Sequence, residues 1–162
     1  MKIKQLNLLV GSKSKKAKVI FREAVIEDVP QIMAISKNID SFRMSEFTSG
    51  VDKKELAFWI SSQNAIVVTA NIESELIGYG YGFCLSPKWF LFDAFTVISA
   101  FRGMGIGRKM YAFLRDECQS KGFDLIQGLV KDKQASSLNY WTKLGFEEGS
   151  KCIWVEDWLD ED

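Results

Sequence analysis

The sequence predicts an α/β chain of the α+β kind, with a mixed, mostly antiparallel central sheet flanked by helices. Three observations carry that prediction. Apolar segments of strand length and segments of helical spacing follow one another in the order β-α-α-β-β-β-α-β-α-β. The run Trp89 to Ile98 enters an amphipathic helix through a bend with glycine at alternate positions, Gly103, Gly105 and Gly107. Such a strand–loop–helix–strand unit is expected to cross over right-handed. Finally, 162 residues that are 47% hydrophobic can bury one sizeable core, so a single domain is expected.

The elements follow in order. A strand is expected near Val19 to Ala24. Asp28, with Pro30 just inside and Gln31 three positions on, starts a helix to about Lys37. A second helix runs from Asp52 through Ser62, with Leu56, Trp59 and Ile60 on one side. Strands follow at Ile66 to Ala70 and Leu76 to Leu85, joined by a turn at Glu73-Ser74. Pro87 separates them from the strand Trp89 to Ile98. The next helix carries Ile106, Met110, Phe113, Leu114 and Cys118 on one stripe and stops at Gly122. Leu125 to Val130 reads as a strand, Ala135 to Leu144 as a helix stopped by Gly145, and Phe146 to Trp158 as a final strand region. At the start, Lys2 to Leu8 alternates weakly, enough for an edge strand, while Gly11 to Lys18 reads as a flexible basic linker. The expected division is a basic N-terminal extension over 1–19 and a domain over 20–162.

Composition excludes several function classes. The formal charge of zero hides six Lys and no acid in the first twenty residues. The remaining 15 basic and 21 acidic side chains leave residues 21–162 at −6. An acidic domain repels nucleic-acid backbones and steers cations, so a cationic small molecule suits it better than DNA or RNA. No apolar run reaches the length of a membrane span, and Met1 to Val10 is too short and polar for a signal peptide. Three widely spaced cysteines, Cys84, Cys118 and Cys152, fit reduced thiols in a cytoplasmic protein. The chain has no histidine, which removes Ser-His and Cys-His chemistry and the commonest metal ligand together; no metal is expected.

The bend Phe101-Arg102-Gly103-Met104-Gly105-Ile106-Gly107-Arg108 carries the most chemistry. Alternate glycines turn backbone N–H groups toward a ligand, and the helix dipole points its positive end at the same place, a cradle for phosphate. A dinucleotide fingerprint is excluded because the sixth position after Gly103 is Arg108, and a Walker loop because no Gly-Lys-Ser/Thr is present. A glycine-rich turn that binds nothing is the competing reading.

The pattern Arg/Gln-x-x-Gly-x-Gly/Ala is met by Arg102, Gly105 and Gly107, and it resembles the acetyl-CoA diphosphate loop of the GNAT N-acetyltransferase superfamily. Thr96-Val97-Ile98-Ser99-Ala100 stands where that superfamily has the end of a strand, here without the usual proline. Asn139-Tyr140-Trp141-Thr142-Lys143-Leu144-Gly145-Phe146 is similar to its Tyr-x-Lys/Arg-x-Gly-Phe helix end. Phe21-Arg22-Glu23-Ala24 and Glu27-Asp28-Val29-Pro30 are similar to its opening strand and helix start. The resemblance spans about 20–156.

The resemblance implies an acetyl-CoA-dependent N-acetyltransferase acting on a primary amine, with the cofactor entering between two splayed central strands. The diphosphate would meet the amides of Gly103, Met104, Gly105, Ile106, Gly107 and Arg108, at about 1.5–3 kcal/mol for each charge-assisted bond. The Arg102 and Arg108 side chains add to this or sit in solvent. Main-chain groups of Phe95, Thr96 and Val97 would pair with the pantetheine arm. Val97 is the expected oxyanion donor, a contribution of roughly 3–4 kcal/mol. Gln134 stands in for the family's pantetheine-contacting asparagine, and Trp141 for its tyrosine.

Direct transfer needs a neutral amine, and deprotonating a lysine-like amine at pH 7 costs roughly 4–5 kcal/mol. Without histidine the base must be a carboxylate or a water relayed to one. Asp93, interrupting the apolar run four residues before Val97, is the first candidate; Glu46 is a weaker one. Trp141 cannot supply the proton for the leaving thiolate near neutral pH. Tyr140 is a candidate substitute acid, although about 100° of helix rotation separates it from the usual place. The alternative is that water protonates the leaving group. A nucleophilic Cys118 or Cys84 is disfavoured, since Cys118 sits on the apolar helical stripe. Acceptor recognition is expected from Ile39 to Asp52, from a ring-walled groove over Gly78-Tyr79-Gly80-Tyr81-Gly82, and from Trp154 and Trp158. The rival reading is a non-catalytic acyl-CoA-binding or partner-binding module on the same fold. The acceptor's identity and homodimerisation stay open.

Overall fold

The computed structural model describes residues 3–10, 15–37, 51–131, 134–153 and 155. Their strands are β1 (Ile3–Val10), β2 (Lys15–Glu23), β3 (Ala65–Ile72), β4 (Glu75–Ser86), β5 (Trp89–Val97) and β6 (Leu125–Gly128). The helices are α1 (Val29–Ser36), α2 (Lys53–Ser61), α3 (Ile106–Ser120) and α4 (Ala135–Lys143). The strands form one sheet in chain order, antiparallel from β1 to β5, with β6 added parallel to β5.

Two apolar layers enclose the sheet. On one face Val29 and Ile32 of α1 and Leu56 of α2 pack on Val67, Leu76, Tyr79, Tyr81 and Ala94. On the other, α3 buries Ile106, Met110, Phe113, Leu114 and Cys118, the stripe its periodicity predicts, against Phe21, Val68, Ile77 and Phe90. Burying such a side chain contributes about 1.5–3 kcal/mol, so the helices are held by their stripes rather than by helix propensity.

Local signals set the boundaries. The Asp52 carboxylate caps α2, accepting from Lys54 N (2.6 Å) and Glu55 N (3.2 Å). At α1 the Asp28 carboxylate instead turns back. It accepts from both terminal nitrogens of Arg22 (2.6 and 2.8 Å) and from Val25 N (2.8 Å), tying the end of β2 to the helix start.

Two expectations need correction. The edge strand at the start is longer than its weak alternation suggests, and β2 begins at Lys15, so Lys15 to Lys18 lie in the ladder with β1 rather than in a linker. Polar sequence is tolerated at that place because an edge hairpin can keep one face in water. The final strand is not formed over Phe146 to Ile153: only Phe146 returns to the core, and Glu147 to Lys151 are polar and exposed. Among the described residues no helix is long and apolar enough to cross a membrane.

Candidate active site

The glycine-rich bend has the local conformation its residues permit. A single helical turn over Ser99–Phe101 brings the chain off β5, and Gly103 (φ +78°) and Gly105 (φ +77°) both adopt the left-handed region. An L side chain there costs roughly 1–2 kcal/mol. Helix α3 then begins at Ile106 with no side-chain cap, and Lys109 N–H is the first to bond back, to Gly105 O at 3.1 Å. The N–H groups of Ile106, Gly107 and Arg108 therefore have no acceptor within the helix and carry its positive dipole end. Arg108 is exposed. Arg102 is exposed, and its Nε donates to Val97 O at 2.8 Å.

Strand β5 is open along its second half. Pairing with β6 runs from Trp89↔Leu125 to Phe92↔Gly128 and stops, while β4 stays paired with β5 as far as Gly78↔Val97. The β4 register also slips, from Gly82↔Phe92 to Tyr81↔Ala94, leaving Asp93 as the extra residue of a bulge. The carbonyls of Ala94 and Thr96 turn toward β4: a Cβ on Gly80 or Gly78 would lie 3.2 and 2.8 Å from them. Ile98 N–H likewise bonds Ile77 O at 2.9 Å. By antiparallel alternation Phe95 and Val97 turn their main-chain groups to the side that β6 leaves open. Thr96 is committed to the sheet, so of the three strand residues expected at the pantetheine arm only its two neighbours face the open side. There the Val97 carbonyl already accepts from Arg102.

The bulge also aims Asp93. Two consecutive residues, Asp93 and Ala94, face the α1–α2 side, where Ala94 packs with Tyr79 and Tyr81. Asp93 keeps an exposed face, yet its carboxylate lies beside these tyrosines and accepts a hydrogen bond from Tyr81. Loss of hydration pushes the Asp93 carboxyl above its usual range, and the Tyr81 hydroxyl holds it back only in part. Tyr79 and Tyr81 are themselves pushed well above the phenol range, first by burial and then by the Asp93 charge. Trp59 of α2 stacks on Tyr81 with centroids 4.9 Å apart and meets Phe83 edge-on at 4.7 Å. Glu55, one turn before Trp59, adds its negative field at Tyr81. The expected groove along the glycines of β4 is absent, because the rings of Phe95 and Phe90 fill the space beside Gly80 and Gly82. The tyrosines wall the opposite face.

On α4 the two adjacent aromatics divide their roles. Trp141 packs among Phe92 (4.7 Å), Phe95 (5.4 Å), Tyr111 (5.8 Å) and Phe146 (5.2 Å). Tyr140 reaches across to the start of α3, where its hydroxyl would lie 2.5 Å from a Cβ on Gly107, a point 3.7 Å from the Phe95 ring. Burial pushes that hydroxyl up to about 12, so it holds its proton at neutral pH. Gln134 is the residue before α4 and accepts from the Ser137 hydroxyl at 3.5 Å. Burial raises the Cys118 thiol to about 12, and Cys84 Sγ bonds Ser86 O at 3.0 Å, so neither is an activated nucleophile. Glu46, Trp154 and Trp158 lie outside the described residues. The pairing of Tyr81 with Asp93 escapes sequence reasoning because a bulge leaves no periodic signal.

Comparison with known proteins follows this geometry. The model of the acetyltransferase (GNAT) family matches residues 34–146. No curated protein sequence matches the chain. Among solved structures, an aminoglycoside acetyltransferase, meta-AAC0020, from an uncultured soil metagenomic sample in complex with sisomicin is 17% identical, with TM-score 0.69 over 88% of this chain and 97% of that one. Aminoglycoside N-acetyltransferase AAC(6')-Iy in complex with CoA is 14% identical, with TM-score 0.74 over 88% and 97%. A transcriptional regulator from Bacillus halodurans C-125 is 18% identical, with TM-score 0.69 over 86% and 99%. At such identities the likeness is one of fold.

Proposed function

The chain belongs to the GNAT acetyltransferase family and is an acetyl-CoA-dependent acyltransferase, and from that premise we propose that it acetylates a primary amine by direct attack, with Asp93 as base. The observation that supports this reading is the bulge: Asp93, partly desolvated and next to Tyr81, immediately precedes the stretch of β5 that β6 leaves unpaired. The uncapped start of α3 and the unpaired half of β5 suit the two ends of a nucleotide thioester, diphosphate at one and pantetheine amides at the other. Bound there, acetyl-CoA supplies the activated acetyl group.

Asp93 accepts the proton of the entering ammonium, and its raised affinity for protons makes it a better base than an ordinary carboxylate. Val97 N–H faces the open edge and stabilises charge developing on the thioester oxygen. Tyr140, protonated and adjacent to both Phe95 and Gly107, gives its proton to the sulfur as the carbon–sulfur bond breaks. The net charge of −6 over residues 21–162, with Glu55 and Asp93 both acting at Tyr81, favours a small cationic acceptor over a protein amine.

The test is thiol release from acetyl-CoA across an amine panel that begins with polycationic amino sugars, diamines and lysine peptides. Asp93→Asn is expected to lower turnover by roughly 10²–10⁴ while acetyl-CoA affinity measured by calorimetry persists. Unchanged turnover removes Asp93 from the mechanism. Tight acetyl-CoA binding with no thiol released for any amine favours a binding module.

A further inference from the structure

Arg102 heads the glycine bend, and its position invites the role of a phosphate ligand. Part of its guanidinium is already committed elsewhere. The Nε–H that would define the inner edge of a guanidinium fork is spent on Val97 O at 2.8 Å, and the residue's own N–H bonds Ser99 O at 3.2 Å. The peptide unit joining Val97 to Ile98 is thereby held from both sides: Ile98 N–H donates across to Ile77 O at 2.9 Å, and Val97 O accepts from Arg102. Beyond Phe92 no β6 residue pairs with this stretch of β5, so the Arg102 bond substitutes for a ladder bond that a neighbouring strand would make.

We propose that Arg102 is a positioning residue: by clamping the Val97 carbonyl it fixes the direction in which Val97 N–H faces the thioester oxygen, and it does not grip the diphosphate. The inference rests on the acetyl-transfer reading for its consequence, but the clamp itself belongs to the protein alone. A glutamine amide nitrogen is attached to Cδ, as Arg Nε is, so Arg102→Gln keeps a donor at the same distance along the side chain while losing the charge. Arg102→Ala loses both.

The experiment compares the parent, Arg102→Ala and Arg102→Gln with two donors, acetyl-CoA and S-acetylpantetheine, the second of which has no diphosphate. Loss of positioning lowers kcat with both donors by a similar factor, on the order of 10- to 100-fold in Arg102→Ala, and Arg102→Gln restores most of it. A loss confined to acetyl-CoA, appearing in KM and equal in the Ala and Gln variants, overturns the proposal in favour of a charge on the diphosphate. A readout independent of activity accompanies these rates. The Nε–H of Arg102 exchanges slowly with solvent in nitrogen NMR spectra of the free protein, and fast exchange there overturns the clamp. If the parent acetylates no amine, the acetyl-transfer reading fails while the exchange measurement still decides the clamp.

Discussion

At Gly107 the backbone is ordinary helix, so no φ requirement explains the missing side chain; the Tyr140 hydroxyl takes the space instead. Gly103 and Gly105 have nothing within 4 Å of a built Cβ and are glycine because of their positive φ. Alternate glycines in one loop thus answer to two different constraints. Gly107→Ala should leave stability within about 1 kcal/mol, since the atom that must move is the tip of one side chain and Ala favours helix. Turnover should fall about tenfold or more, toward the level of Tyr140→Phe, because the proposed proton donor is displaced. The double variant should lose no more than Tyr140→Phe alone, a non-additivity that steady-state kinetics on the four proteins measures directly. Full additivity would separate Tyr140 from the cleft. The Arg102 clamp also gives a physical reason for the loop pattern to admit Arg or Gln at its head, since both side chains place a nitrogen on Cδ.

Elements carry this arrangement through one ion pair and one packing layer. The Asp28 carboxylate, 4% exposed, joins Arg22 of β2 and the Val25 N–H to the start of α1. Helix α1 in turn backs Tyr79, whose neighbour Tyr81 bonds Asp93. Asp28→Ala leaves the part-buried Arg22 guanidinium with only the Glu23 carbonyl, and the Val25 N–H with no acceptor, at a cost of about 2 kcal/mol. Urea unfolding should show that loss as a lower midpoint with unchanged slope; a loss below about 1 kcal/mol would mean water replaces the pair. These elements were largely legible in the chain. Asp52 marks a helix start by capping and Pro30 by its fixed φ in the first turn. Asp28 stands at the α1 start without capping it, Gly122 and Gly145 mark stops, and the α3 stripe is periodic. What was not legible depends on neighbours distant in sequence. The Asp93 bulge, the end of β5–β6 pairing at Phe92 and the rings filling the glycine lane of β4 arise only when strands meet. Lys15 to Lys18 looked like linker because an edge strand needs only one apolar face.

Across the whole molecule, the catalytic arrangement should appear as a stability cost. Folding places Asp93 beside Tyr79 and Tyr81, with Glu55 acting at Tyr81, and raises its pKa above the unfolded value of 3.8. Below about pH 3.8 both states hold the proton and Asp93 contributes no difference. As pH rises from there to the native pKa, the unfolded chain has released its proton and the native one has not, so stability falls across that window. Above it the cost of an ionised, partly desolvated carboxylate is fully present. Asp93→Asn should therefore raise the melting temperature at pH 7 relative to the parent, and the gain should shrink as pH approaches 4. Meanwhile kcat/KM of the parent, which needs the ionised form, should show an acid limb above the ordinary carboxylate range. Tyr81→Phe removes the one hydrogen bond that favours the anion and should move that limb to still higher pH. Thermal scans of Asp93→Asn against the parent at pH 4 and 7, with pH–rate profiles for the parent and Tyr81→Phe, test both halves. An Asp93→Asn protein less stable than the parent at pH 7 would show that the Tyr81 bond outweighs desolvation, reversing the assignment of Asp93 as a strained base.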